Sequence, residues 1–397
     1  MNIRQPSNDG LRGWHLAVLA GGTFTLGMDG FVLPGLLPEI ARSLSVPVAV
    51  AGQLTTIFAV TYAIGSPVIA TLTGRWDRRV LLGGGLALFL LGMVAQALGA
   101  SFAVVVGGRV LAALGAAAFQ ANAYAVAGVL AVPARRGRAL AAVTAGTSLS
   151  TVLGVPFGVL VGQLVGWRGA MWVIAALALV VAAVIPALPG VRIPPTSMRT
   201  RLGVLIRPQA IAVLSGTVLF LVPFFLLSAY LPLLVGDAAA TGRLVVFALL
   251  AVGLGQIIGN RIVGGLVDDR GPRPVLLISR IGMTAVCATL IPLHLWYPGL
   301  LVLLLALGLF SGLTVTPQQH RLFTLLPEVA TIALGLNGSA IYLGAAIGAL
   351  EGGVVVATGG AGWLPIAATV MAAAGIGALR AGAPERSTPD TAQEPVR

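Results

Sequence analysis

Three charged side chains lie inside otherwise apolar stretches, and each belongs to a type that can hold a proton or pair with an opposite charge. They are Asp29 in "TLGMDGFVLPGLLPEI" (25–40), Arg109 in "GRVLAALGAAAF" (108–119) and Glu351 in "GALEGG" (348–353). A charge at the centre of a bilayer costs roughly 2.5–3.5 kcal/mol on insertion scales. Snorkelling relieves a long Arg or Lys chain far better than a short Asp. Counting along helices puts Asp29 about eight residues and roughly 12 Å from the outer end of its segment, Glu351 about seven residues and Arg109 about six. An Asp29–Arg109 bridge would lower the cost of both charges. It would also form a switch, because an isolated carboxyl in apolar surroundings keeps its proton while one beside a guanidinium releases it. A rearrangement that changes their separation or hydration would then take up or release a proton. The plainer alternative puts all three charges at segment ends, among headgroups. Arg261 and Arg280 are read that way, as snorkelling arginines. His320, in "TPQQHRLF", can titrate near neutrality but beside a loop is read first as structural.

The elements that must carry these residues follow from composition. Of 397 residues, 57% are hydrophobic and 9% charged, more apolar surface than a soluble fold of this size can bury. No Asp, Glu, Lys or Arg lies between Arg79 and Arg109, Arg138 and Arg168, Arg207 and Asp237, or Arg280 and Arg321. A membrane-spanning helix needs about 20 apolar residues, so these gaps hold spans. The net charge of +12 comes from 24 basic residues that are all Arg. They cluster in short loops such as "RWDRR" (75–79), "RRGR" (135–138) and "RTRLGVLIR" (199–207), alternating with spans rather than gathering on one soluble face. That excludes a nucleic-acid binder and fits cytoplasmic loops. The single cysteine, Cys287, permits no intrachain disulfide. The amino terminus reads as an uncleaved first helix.

The expected fold is an all-α membrane protein of twelve transmembrane helices in two pseudo-symmetric six-helix bundles. The spans are placed near 14–37, 48–72, 80–99, 103–132, 139–166, 169–188, 209–235, 244–267, 274–293, 298–326, 330–358 and 363–380. With both termini cytoplasmic, the inside segments hold most arginines and the outside loops only Arg42, Arg168 and Arg243. "RRVLLGGG" (78–85) and "RPVLLISR" (273–280) repeat at an offset of 195 residues. Adding that offset to spans one, four and five lands on spans seven, ten and eleven. The expected organisation is therefore an amino-terminal bundle (1–189), a cytoplasmic linker (190–207), a carboxy-terminal bundle (208–381) and a disordered cytoplasmic tail (382–397).

No zinc spacing, Walker loop, nucleotide fingerprint or Ser-His-Asp set is visible, so neither enzymatic activity nor a cofactor is expected. Without an ATP-binding domain, uphill transport would draw on an ion gradient. In "GVPFGVLVGQLVG" (154–166), Gly154, Gly158 and Gly162 recur every four residues, which lets a partner helix approach closely, and Pro156 permits a kink.

With these residues the chain resembles the major facilitator superfamily, and within it the twelve-helix drug:proton antiporters, over nearly its whole length to about residue 380. "VLGVPFGVLVGQLVGWRGAMW" (152–172) is similar to the antiporter motif of helix five and the Gly-Trp-Arg turn after it. Arg109 matches the arginine of the helix-four motif. "GGLVDDRGPRPVLL" (264–277) matches the loop between helices eight and nine through Gly264, Asp268, Gly271 and Arg273. "MDGFVLPGLLPEIA" (28–41) and "ALGLNGSAIYLGAAIGA" (333–349) resemble a subgroup exporting sugars, purine nucleosides or chloramphenicol-like drugs, whose first-helix acid falls at Asp29. Two departures stand out. In "ATLTGRWDRR" the family's acid is Gly74 and its later glycine is Asp77, and the helix-four Gln and Gly are Ala112 and Ala113.

The resemblance implies a monomeric proton-coupled exporter of a small organic molecule, in the cell inner membrane, working by rocking of two halves about a midplane cavity. Asp29 would carry the proton with Arg109 as partner and Glu351 as a second acid. Gly154, Pro156 and Gly158 would form the packing hinge, and Asp268 and Arg273 would stabilise closure on the cytoplasmic side. Phe31, Phe58, Tyr62, Tyr124, Phe225, Tyr230, Asn337 and Tyr342 would line the cavity. The partners are then substrate, protons and bilayer, with no nucleic acid. A proton-linked sugar or nucleoside importer, and a receptor or scaffold that has lost transport, are the alternatives.

Overall fold

A computed structural model of the chain describes residues 13–132, 135–192, 198–236, 243–293 and 295–381. The described residues are helical throughout, joined by short turns. The first half holds α1 (Gly13–Ser43), α2 (Val48–Leu72), α3 (Arg78–Leu98), α4 (Phe102–Leu130), α5 (Arg136–Leu149), α6 (Val155–Val165) and α7 (Trp167–Val184). After the linker helix α8 (Met198–Leu205) come α9 (Pro208–Ala229), α10 (Leu231–Val235), α11 (Arg243–Arg270), α12 (Pro272–Leu293), α13 (Tyr297–Gly312), α14 (Val315–Leu325), α15 (Ala330–Gly359) and α16 (Leu364–Ala381). Among the described residues eleven stretches are long and apolar enough to cross a membrane, and a shorter one, Ala361–Gly377, stands in the twelfth position. The chain thus builds two six-helix bundles. Arg4, Arg12, residues 193–197 of the linker and the tail from 382 lie outside the described residues.

Helix ends follow from local chemistry. Asp77 caps α3 by accepting from the Arg79 N–H at 2.8 Å, and Ser101 caps α4 through the Val104 N–H at 3.5 Å. Gly166 takes φ +85° between α6 and α7, and Gly271 takes φ +77° between α11 and α12, a conformation a side chain resists.

Four spans differ from the sequence expectation. α1 runs to Ser43 rather than stopping at 37, carrying Pro34 and Pro38 within it. The α13–α14 pair is interrupted at Leu313–Thr314, and the seventh span breaks at Tyr230. The fifth span is joined by a π-helical turn over Ser150–Gly154, in which the Val155 N–H reaches the Ser150 carbonyl, just ahead of Pro156. Pro156 has no N–H of its own to offer the preceding turn, which favours such a local widening.

The halves meet through α2 on α15, α6 on α11, and α1 on α10. The named contacts lie toward the arginine-poor end: Gly35 faces Val159 and Leu249, Gly253 faces Thr151 and Val152, and Gly353 faces Gln53, Ala49 and Tyr230. Toward the arginine-rich end, Gly264, Gly265, Gly335 and Gly338 border open space.

Candidate ion-pair site between the helical halves

The longer α1 puts Asp29 farther from the end of its helix. It stands fourteen residues before Ser43, about 21 Å along the axis, rather than eight. Glycines bring its neighbours close: a Cβ at Gly22 would overlap the Phe119 ring of α4, and one at Gly27 would overlap Ser150 in the π-helical turn. On the far side of α4, Gly92 of α3 lies against the backbone of Ala112, with Gly108 and Gly115 making the reciprocal approach. The two helix-four departures, Ala112 and Ala113, are fully buried in this packing, where small side chains are what the spacing admits.

Asp29 and Arg109 are both 0% exposed and joined by Nη1–Oδ1 at 2.7 Å. Arg109 Nε also donates to the Leu54 carbonyl at 3.4 Å, and its guanidinium carbon stands 4.3 Å over the Phe58 ring. One arginine therefore ties α1, α2 and α4 together. Oδ2 of Asp29 and Nη2 of Arg109 have no hydrogen-bond partner. Dry burial of two ions is tolerated only because they neutralise each other. Adding a proton to Asp29 would leave Arg109 with a single carbonyl and a ring face, so the pair must separate or take up water as it titrates.

Aromatic rings continue outward from the pair. Tyr62 and Tyr342 stack with centroids 3.7 Å apart, and Phe58 lies 6.2 Å from Tyr342. Tyr342 lies within electrostatic reach of both Asp29 and Arg109, and Tyr124 within reach of Tyr62 and Tyr342. Phe31 stacks on Phe225 at 6.2 Å. Both the α2–α15 and α1–α9 ring contacts cross between the halves, and Gly30, next to Asp29, borders open space. Six of the eight residues expected to line the cavity are thus brought around the pair or the adjoining crossing. The other two sit elsewhere. Asn337 is buried against Thr217, whose Oγ1 donates to its Oδ1 at 2.7 Å. Tyr230 is wedged into the seam at the arginine-poor end, donating to the Ala349 carbonyl at 3.2 Å and filling the space over Gly52, Gly352 and Gly353. Glu351 is half-buried beside that seam, with Oε2 unpartnered and no bridge to Arg109.

The helix-five glycines form a packing surface. Gly154 lies on Phe24 and Met28, Gly158 on Met28 and Val32, and Gly162 on Leu36, all of α1, while Pro156 is buried beside them. Asp268 is exposed near the end of α11, Gly264 borders open space, and Arg273 lies in the first turn of α12. In the first half Asp77, besides capping α3, accepts from the Val191 N–H at 3.3 Å, so it fastens the linker to the α2–α3 turn.

One expectation is overturned. Arg280 does not snorkel: it is 0% exposed, donating to the Phe220 carbonyl at 2.5 Å, to Thr314 at 2.7 Å and to Ser279 at 3.0 Å, with its guanidinium 4.5 Å from the Phe220 ring. Arg261 is exposed, in keeping with its reading. Sequence reading gave no role to Glu39, whose Oε1 accepts from the Trp167 N–H at 2.9 Å, and placed Arg168 only in a loop, where it donates to Ser43 and to the Gly99 carbonyl at 2.7 Å each. An acid ten residues beyond Asp29 in the same helix was the available signal.

Comparison with known proteins gives a consistent picture. The family model described as Major Facilitator Superfamily matches residues 19–349 and 213–396. An uncharacterized MFS-type transporter of Bacillus subtilis, YbcL, is 32% identical over 86% of this chain and 89% of its own. A chloramphenicol resistance protein of Streptomyces lividans is 37% identical over 66% of this chain and 69% of its own. The inner membrane transport protein YdhP of Escherichia coli is 29% identical over 95% and 97%.

Proposed function

Because the chain belongs to the major facilitator superfamily, we propose that it exports a small organic molecule in exchange for protons, by alternating access between its two bundles. The observation that carries this reading is the Asp29–Arg109 bridge, a dry and fully buried ion pair beside rings contributed by both halves. Substrate would enter from the arginine-rich end, taken as cytoplasmic, and stack among Phe58, Tyr62, Tyr342 and the Phe31–Phe225 pair. Once the pair is exposed, the unpartnered Oδ2 and Nη2 would be hydrogen-bonding groups that a neutral polar substrate can satisfy. Opening of the arginine-poor seam would hydrate the pair, letting Asp29 take a proton from outside. Return to the present arrangement, closed at that end, would restore the bridge and drive the proton off toward the cytoplasm. Glu351, half-buried beside the seam, would pass that proton inward.

The chloramphenicol resistance relative makes uncharged, amide-bearing antibiotics the first substrates to test. The experiment is transport into inside-out proteoliposomes with an imposed pH gradient, read by radiolabelled chloramphenicol and by a trapped pH dye. Uptake that depends on an acidic lumen, with proton release on substrate addition, is expected. Both signals must vanish in Asp29→Asn, and undiminished proton-driven uptake by that variant overturns the reading.

A further inference from the structure

A narrow cavity lies toward the arginine-rich end of the second half, away from the Asp29–Arg109 pair. Ser215, Leu219 and Phe220 of α9, Arg321 of α14 and Leu379 of α16 line it. Its volume is about 120 Å³. That is the room of about four water molecules at roughly 30 Å³ each, well below the roughly 300–1,000 Å³ that encloses a drug-sized ligand. A group of a few heavy atoms fits, and a transported antibiotic does not. Packing fixes the cationic wall. Arg321 is 7% exposed and donates through Nη1 to Gln318 Oε1 at 3.1 Å, and Gln318 Nε2 donates in turn to the Val213 carbonyl of α9 at 3.1 Å. Gly216 permits that approach, since a Cβ there would stand 2.8 Å from Gln318 Nε2. The guanidinium is thereby tied to α9, and its five N–H donors are enough to keep Gln318 and still meet a ligand. Phe220 forms another wall, and Arg280 stands 4.5 Å from its ring with no carboxylate bridging it among the described residues. The neighbourhood is positive.

The surroundings narrow what that ligand is. Ile211 is 50% exposed and Leu219 38%, and Ala212 and Ser215 between them are exposed as well. On a spanning helix an outward apolar face of this kind meets lipid. The exposed Arg207–Glu328 pair marks the polar edge of this corner, and Ser215 lies eight residues past Arg207, about 12 Å along the helix. Headgroups take up about 5–8 Å on each side of a bilayer, so the cavity opens where phosphates give way to acyl chains. We propose that it binds the phosphate of an anionic phospholipid from the adjoining leaflet, with Arg321 as the cation and Leu219, Phe220 and Leu379 against the first carbons of the chains. The Ser215 hydroxyl already donates to the Ile211 carbonyl at 2.6 Å, so its oxygen is left to accept. That suits a headgroup carrying a hydroxyl, as phosphatidylglycerol does. Bound there, the lipid would brace α9 against α14 and α16, whatever molecule the chain transports.

The test is thermal unfolding of the full chain in detergent micelles, at fixed ionic strength. The micelles are doped with increasing mole fractions of dioleoyl phosphatidylglycerol or of dioleoyl phosphatidylcholine, and a third series adds inorganic phosphate without lipid. A rise in Tm with phosphatidylglycerol, absent from the other two series, is expected. Ser215→Phe plugs the cavity from an exposed position and leaves Arg321 and Gln318 in place. Its Tm without lipid should match the parent, while its half-saturating mole fraction of phosphatidylglycerol increases about fivefold or more. Arg321→Gln, which also gives up the bond to Gln318, should weaken the titration as much. The control Leu179→Phe, at a residue 56% exposed on α7 of the first half, should stay within about twofold. An equal rise with phosphatidylcholine, a rise with inorganic phosphate alone, an unchanged titration in Ser215→Phe, or an equal loss in Leu179→Phe overturns the proposal.

Discussion

Among the described residues each half of the molecule buries one arginine completely, Arg109 and Arg280, and the two are stabilised differently. Arg109, in the first half, is neutralised by a titratable acid on another helix. Arg280, in the second, is held by a carbonyl, two hydroxyls and a ring, none of which changes charge near neutral pH. The first arrangement can be undone by a single proton. The second cannot, and it fastens two irregular points of the second half: the stretch of α9 ahead of Pro223 and the break at Thr314 between α13 and α14. The fully buried ion pair thus belongs to one bundle, while the other keeps an arginine held by uncharged groups.

The contrast breaks most visibly at Asp29. Asp29→Asn removes the one carboxylate that, among the described residues, bridges Arg109, and stranding a buried cation should cost about 3–5 kcal/mol of stability along with all coupled proton movement. Pairing it with Arg109→Met should recover most of the lost stability in a denaturation experiment without restoring transport. Arg280→Met sharpens the difference. Leaving the Phe220 carbonyl and Thr314 unpaired should cost about 1–3 kcal/mol, yet the pH dependence of transport by the folded fraction should match the parent. A displaced pH profile in that variant would show that both arginines titrate the cycle.

Between the halves, Gly52→Val places a side chain on Tyr230 and should hold the arginine-poor end apart. A cysteine introduced at Gln53 should then react faster with a membrane-impermeant maleimide, against a background in which Cys287 is buried. The smallest effect belongs to the exposed Arg207–Glu328 pair, which joins the start of α9 to the turn before α15. Its hydrogen bond from Arg207 holds the Glu328 carboxyl below its ordinary pKa. A depressed folded-state value stabilises the fold above the usual carboxylate range and ceases to as pH falls through the folded pKa. The Tm difference between parent and Glu328→Gln should be small at pH 7 and disappear as the pH falls through the folded-state pKa of Glu328.

Much of this was legible in the residues. Charge-free gaps place the spans because lipid tolerates no unpaired polar groups, and an acid deep in such a gap stands out for the same reason. The Asp29–Arg109 geometry follows from cost, since neither charge is affordable alone at that depth. Three things were not legible. The first span was ended too early, at 37, whereas α1 continues through Pro38 to Ser43 and Glu39 within it accepts from the Trp167 amide. Arg280 looked like a snorkelling residue because its partners are a main-chain carbonyl and hydroxyls, which no charge pattern reveals. Tyr230 was grouped with cavity aromatics, but three glycines from two other helices decide its place, and that is a property of packing across more than a hundred residues of chain.

The widened turn at Ser150–Gly154 amounts to one additional residue spliced into an otherwise regular helix. Each α-helical residue advances the face by about 100°, so the insertion rotates everything after it relative to everything before. That phase offset lets one continuous segment show Gly146 to Thr23 and Ala20 below the turn and Gly158 and Gly162 to Val32 and Leu36 above it. Excising a single residue there, with no change of composition, would swing the upper glycine row away from α1 and present it with bulky side chains instead.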